Sequence, residues 1–184
     1  MPESLATVIV LRGEAAGAQV RPPARFRDAP EDSDRAAVRD LTSSTGFFSD
    51  DEVAVAVELV EARLAQGPAS GYHFLFADGD DDLDGYVCYG PIALTKSSFD
   101  LYWIAVRPAA QHAGWGRRLM EAAEAKAREL GATTMYVETS SRAQYAPTRA
   151  FYRRLGYLPA AELPDFYGPG DGQVIFAKNL GPTP

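Results

Sequence analysis

One cysteine, Cys88, stands in the 184-residue chain, so no disulfide framework can form within it. Histidine is almost as scarce. His73 and His112 are too few for a zinc cluster, and no Ser-His-Asp or Cys-His constellation stands out. Lysine is limited to Lys96, Lys126 and Lys178. Carboxylates outnumber basic residues, giving a net charge of −7 and a pI of about 4.8. A basic face that could neutralise phosphates is lacking, which argues against a nucleic-acid partner and mildly favours a cationic one. Long apolar runs are absent too. The longest near the start, Leu5 to Leu11, falls far short of the roughly 18 residues of a membrane helix. Glu3 precedes it, where a signal peptide carries basic residues. The expectation is a cytoplasmic protein with no membrane partner.

What remains is an ordinary globular composition. Hydrophobic residues make up 46% and charged residues 23%, too apolar for a disordered chain and enough for one domain with a sizeable core. Residues 1–20 carry no motif and are expected as an extra strand or tail, with the domain over 21–184. A short strand is predicted at Ala24 to Arg27 and a helix at Asp34 to Ser44, with Ala37, Val38 and Leu41 on one face. Ser49-Asp50-Asp51-Glu52 forms a capping box for a second helix. Its inward face is Val53, Val57, Val60 and Leu64, and Gly67 ends it. Strands are predicted at Tyr72 to Ala77, Tyr86 to Tyr89 and Phe99 to Val106, the first two joined by the acidic turn Asp78 to Gly85. A helix with Leu119, Met120, Ala123, Ala127 and Leu130 inward, a strand at Thr133 to Glu138 and a short helix from Pro147 to Gly156 follow. The closing strands fall at Tyr157 to Leu158 and Gln173 to Lys178, with Pro164 to Gly172 a loop between them. The class is α/β, of the mixed α+β kind.

The strongest chemical signal is a central strand ending in Ile104-Ala105-Val106, followed by Gln111-His112-Ala113-Gly114-Trp115-Gly116-Arg117. Glycines there let the backbone approach a ligand, and the turn amides and a new helix N-terminus converge on one spot. Such a nest suits a phosphate. Equally, Gly114 and Gly116 could only shape a tight turn. Context favours the ligand. Gln-x-x-Gly-x-Gly after an apolar strand, then helix, strand and Phe151-Tyr152-Arg153-Arg154-Leu155-Gly156-Tyr157, resembles the GNAT superfamily of acyl-CoA-dependent N-acetyltransferases over Ala24 to Leu180. A dinucleotide-binding fold fits poorly, since Gly-x-Gly-x-x-Gly is not met.

The resemblance implies a mixed, V-splayed sheet of six to seven strands flanked by about four helices. Acetyl-CoA would be the co-substrate, with no metal. Amides of Gln111, His112, Ala113, Gly114, Trp115, Gly116 and Arg117 would hold the pyrophosphate, and Ile104, Ala105 and Val106 would pair with the pantetheine arm. The strands before and after the phosphate-loop helix would splay apart around the thioester. Tyr152 matches the tyrosine that gives a proton to the leaving thiolate. The family often has Asn seven residues earlier, where Tyr145 stands here, and Thr148 replaces a common Ala.

The acceptor must also lose a proton. An alkyl ammonium of pKa ~10.4 is neutral only to about 0.04% at pH 7, a handicap of about 4–5 kcal/mol, so a general base is expected. Glu138, in Tyr136-Val137-Glu138-Thr139, is the first candidate and is similar to a glutamate of ribosomal-protein alanine acetyltransferases. Asp100 on the opposite strand is second. The acceptor end is assigned to Phe47, Phe48 and Tyr102, with Asp165 and Tyr167 from a tail similar to that of the same alanine enzymes. Glu138 and Asp100 also read as ordinary surface or hydrogen-bonded carboxylates, and Asp165 and Tyr167 as part of a plain hairpin loop.

Weaker patterns carry less. Asp80-x-Asp82-x-Asp84-Gly85 matches half a calcium loop, but Pro91 stands where the bidentate Glu belongs. Cys88 within a strand reads as core. The expected function is direct acetyl transfer to a small-molecule amine or a peptide N-terminus. The alternatives are an acyl-CoA-binding module without turnover and a protein N-terminal alanine acetyltransferase. A homodimer is allowed, with no sequence feature bearing on it.

Overall fold

A computed structural model describes residues 25–79, 82–111 and 113–181. The expected N-terminal segment 1–20, Ala24, Asp80 and His112 lie outside the described residues.

Seven strands form one mixed sheet in the order β1-β2-β3-β4-β5-β7-β6. They are β1 Arg25–Arg27, β2 His73–Asp78, β3 Leu83–Pro91, β4 Ser98–Val106, β5 Thr134–Ser140, β6 Leu158–Gly168 and β7 Asp171–Asn179. The helices are α1 Asp34–Ser44, α2 Asp50–Gln66, α3 Trp115–Glu129 and α4 Ala146–Arg154. Helix α2 starts where the capping box predicts. The Ser49 hydroxyl accepts from the Glu52 amide, and Glu52 accepts from the Ser49 amide at 2.8 Å.

Each face of the sheet carries its own apolar cluster. Val38, Leu41, Val57 and Val60 of α1 and α2 pack on Phe74, Phe76, Tyr86 and Trp103. On the other face Leu119, Met120, Ala123 and Ala127 of α3 join Ile104, Val137, Tyr152 and Phe176. Two alanines four residues apart let α3 lie close to the sheet. Burying a side chain such as Leu119 stabilises this packing by roughly 2 kcal/mol. A buried ion pair ties α3 to β7, with Lys178 Nζ donating to both oxygens of the nearly inaccessible Glu124 at 2.8 and 2.7 Å.

Three expectations need correction. Strand β3 begins at Leu83 and runs to Pro91, so the acidic turn is shorter than Asp78 to Gly85. Leu130, expected inward, is half exposed because α3 ends at Glu129 and Leu130 is its C-cap. The stretch Pro164 to Gly168 is not loop but the far half of β6. Leu163 pairs with Gln173 and Gly168 with Asp171, so a bulge absorbs Pro164 to Tyr167. An outer strand tolerates proline in such a bulge because no further strand needs its N–H. Gly172 permits the close approach, since a Cβ there would lie 2.7 Å from the Leu163 carbonyl oxygen.

The feature that builds the site is where β4 and β5 part. They pair in parallel only from Ser98↔Thr134 to Leu101↔Val137, after which neither continues the ladder with the other. A bulge in β4 marks the branch. Cys88 of β3 opposes Trp103 while Tyr89 opposes Leu101, leaving Tyr102 as the extra residue.

Candidate functional site

Beyond the branch, β4 presents its free edge. The Arg107 amide donates to the Asp84 carbonyl at 2.8 Å, so Tyr86 and Ala105 form the next hydrogen-bonded pair of the antiparallel ladder. Ile104 and Val106 therefore turn their backbone polar groups away from β3, into the opening, while Ala105 turns toward β3. Of the three residues assigned to the pantetheine arm, Ile104 and Val106 thus turn their backbone polar groups to the opening and Ala105 does not. Gln111 is buried and its side chain donates to the Val106 carbonyl at 3.1 Å, fastening the glycine loop to the end of β4.

Helix α3 opens directly from that loop. Its N-cap, Gly114, has φ +82°, a left-handed conformation suited to glycine, and no side chain caps the helix. The first-turn amides of Trp115, Gly116 and Arg117 have no acceptor within the helix. Ala113 packs against the core beside them. The Trp115 side chain is buried and meets Phe26 edge-on at 6.0 Å, so this residue contributes its backbone to the nest. The Arg117 side chain is turned along the helix, 3.7 Å from Glu121.

Tyr152 of α4 is fully buried among Phe151, Tyr157 and Phe176. Its hydroxyl has no hydrogen-bond partner among the described residues. Burial pushes the phenol well above its ordinary pKa. The Thr139 hydroxyl, on β5 just past the branch, is a second buried group without a partner. Orphaned polar atoms of this kind are rare and call for an explanation. Arg63, Trp103 and Tyr157 also carry such atoms, and of the five it is Thr139 that sits just past the point where β4 and β5 part.

The opposite face holds the carboxylates. Asp100 and Glu138 stand on β4 and β5 on either side of the branch. Burial first, and the Glu138 charge second, raise the Asp100 pKa to about 7. Gln173 of β7 donates from Nε2 to Glu138 Oε2 at 2.6 Å and to the Tyr167 hydroxyl at 3.3 Å. Burial raises the Tyr167 pKa to about 12, and the Glu138 charge adds to it. Tyr102 packs edge-on against Tyr72 at 5.3 Å and its hydroxyl donates to the Pro91 carbonyl. The α1–α2 connection bridges the parted strands, with Phe48 4.8 Å from Trp103 of β4 and Phe47 6.1 Å from Tyr145 beyond β5.

The chain was compared with known proteins. The family model described as "Acetyltransferase (GNAT) domain" matches residues 70–159. A solved GNAT-family protein from Desulfovibrio desulfuricans, assigned as an acetyltransferase, is 44% identical, with a TM-score of 0.84 over 85% of this chain and 99% of that one. The chain belongs to the GNAT family. A Salmonella typhimurium protein solved with its cofactor acetyl-CoA shares the fold at 20% identity, with a TM-score of 0.67 over 85% of this chain and 94% of that one. Blasticidin-S acetyltransferase of Streptomyces morookaense is 43% identical over 82 residues, 44% of this chain, and the match spans 55% of that relative's length.

Among the residues singled out from sequence, the GNAT fold gathers Asp100, Glu138 and Tyr167 on one face, and Phe47 and Phe48 over the opening. Asp165 is not brought to them. It sits in the bulge at φ +55°, and its carboxylate accepts the Gly170 amide at 2.6 Å, shaping the hairpin. Gln173 and Thr139 were missed. No motif surrounds either, and only the register of β5 against β7 reveals that Gln173 faces Ser140, two residues from Glu138 on the same side. Among the described residues no group of three or more metal-ligating side chains occurs, and no helix is long and apolar enough to cross a membrane.

Proposed function

We propose that the protein moves an acetyl group from acetyl-CoA to a primary amine by direct transfer in a ternary complex, in the cytoplasm. The observation that carries this reading is the parting of β4 and β5 after Leu101↔Val137, with the partnerless Tyr152 hydroxyl on one face and Asp100 and Glu138 on the other. Acetyl-CoA, when bound, supplies a thioester carbonyl open to attack by nitrogen.

The protein's own groups supply the rest. The α3 N-terminus and the loop from Gln111 hold the pyrophosphate through amides and the helix dipole. The Val106 N–H polarises the carbonyl oxygen from the free edge of β4. Asp100, with a pKa near neutrality, accepts the ammonium proton far better matched than an ordinary carboxylate would be. Glu138 beside it attracts the cation and shares the charge of the pair. As the C–N bond forms and the C–S bond breaks, the Tyr152 hydroxyl gives its proton to the departing sulfur, and the second proton shed by the nitrogen as the amide forms restores it. Burial holds that proton on the phenol until the sulfur takes on negative charge.

The relative that acts on blasticidin S supports a small polar amine as acceptor, with a peptide N-terminus second. Initial-rate measurements with acetyl-CoA and an amine varied together test the reading. Direct transfer gives intersecting double-reciprocal lines. Parallel lines, which signal an acetylated enzyme, would contradict it.

A further inference from the structure

Gln173 is buried on β7, yet its side chain lies between two groups of the acceptor face. A carboxylate can only accept, so the contact at 2.6 Å with Glu138 Oε2 fixes Nε2, not Oε1, on that side. The second Nε2 hydrogen is then the one that reaches the Tyr167 hydroxyl at 3.3 Å. With its oxygen accepting from Gln173, Tyr167 keeps its own O–H proton to give elsewhere. One primary amide thus orients an anion and a donor together.

We propose that Gln173 is a positioning residue of the acceptor site, holding the Glu138 carboxylate to receive the acceptor's ammonium and turning the Tyr167 O–H toward a polar atom of the same molecule. This rests on the acetyl-transfer reading above. The acceptor class it points to is a cationic amine carrying a hydrogen-bond-accepting oxygen or nitrogen near the reacting nitrogen. The ionisable groups around this amide are Asp100 on β4, Glu138 on β5, Tyr167 on β6, and Asp171 at the start of β7, which accepts from the Ser140 hydroxyl and lies 3.1 Å from Arg142 Nε. Gln173 carries no charge, so it biases these neighbours without competing for the cation.

The test uses the full chain, with blasticidin S, kanamycin, spermidine and an alanyl tripeptide as acceptors. In Gln173→Leu, acetyl-CoA affinity by calorimetry stays within twofold, which also reports an intact fold. Gln173→Met serves as the second variant. The acceptor KM rises about tenfold, the worth of one charge-assisted hydrogen bond, while kcat changes much less. In a Glu138→Gln background the same substitution changes KM less than twofold. An equal loss in both backgrounds, or an unchanged KM in Gln173→Leu, overturns the positioning role while leaving acetyl transfer intact. A wild-type protein that releases no CoA thiol with any of the four overturns the reading on which the role rests.

Discussion

Asp100 holds its proton to about pH 7 because it is buried and because Glu138 faces it across the branch of the sheet. Only the ionised form accepts a proton, so kcat/KM rises with pH through that region. In Asp100→Asn the limb disappears and the plateau falls about 10²-fold, as a pH–rate profile will show. Stability moves the opposite way. The folded-state pKa lies above that of an unfolded aspartate, ~3.9, so the stabilisation present at low pH is lost as pH rises through 7. Asp100→Asn therefore raises Tm over wild type more at pH 8 than at pH 5. Tyr152→Phe separates activity from stability differently. It removes a buried hydroxyl that has no partner, so Tm holds or rises while turnover falls about 10²-fold and acetyl-CoA affinity is retained. At this scale, Tyr152 and Glu138 could be singled out as candidates because each sits in a local motif. Gln173 was not, since its role depends on residues that only sheet register brings near.

Elements marked by their own chemistry were legible in the sequence. Helix α1 falls on Asp34–Ser44, and α2 on the interval between its capping box and Gly67, because local backbone groups decide those ends. The far half of β6 was hidden, because Pro164 and the glycines at 168, 170 and 172 have turn composition, and only pairing with β7 makes a strand of it. Helix α3 carries two predictions. Gly114→Ala forces a Cβ into a left-handed conformation, costing about 1 kcal/mol and weakening acetyl-CoA binding about fivefold in calorimetry. Lys178→Met leaves the buried Glu124 carboxylate with only the more distant Arg128, 3.8 Å away, and destabilises the protein by about 2 kcal/mol in urea melts, and a second change, Glu124→Gln, recovers most of the loss.

For the whole molecule, the decisive arrangement is a sheet that divides two kinds of chemistry. Loop amides, the free edge of β4 and the orphaned hydroxyl of Thr139 stand on one side of the branch, with Tyr152 buried in the core of that face. Carboxylates and aromatic rings, bridged by the α1–α2 connection, line the other. A thioester entering from the first side and an amine from the second would meet where Leu101 and Val137 stop pairing. The order of strand, loop, helix and strand foretold a parallel pair joined through α3, while the parting of β4 and β5 was expected only from the family resemblance. The acceptor side was less legible because its residues come from five separate elements. The account is tested most directly by mixing the protein with acetyl-CoA and the amine panel, then following thiol release and product mass together. Amine-dependent release matched by one acetyl group on the acceptor is the predicted result. Tight acetyl-CoA binding with neither release nor acetylated product would contradict it and leave a binding module.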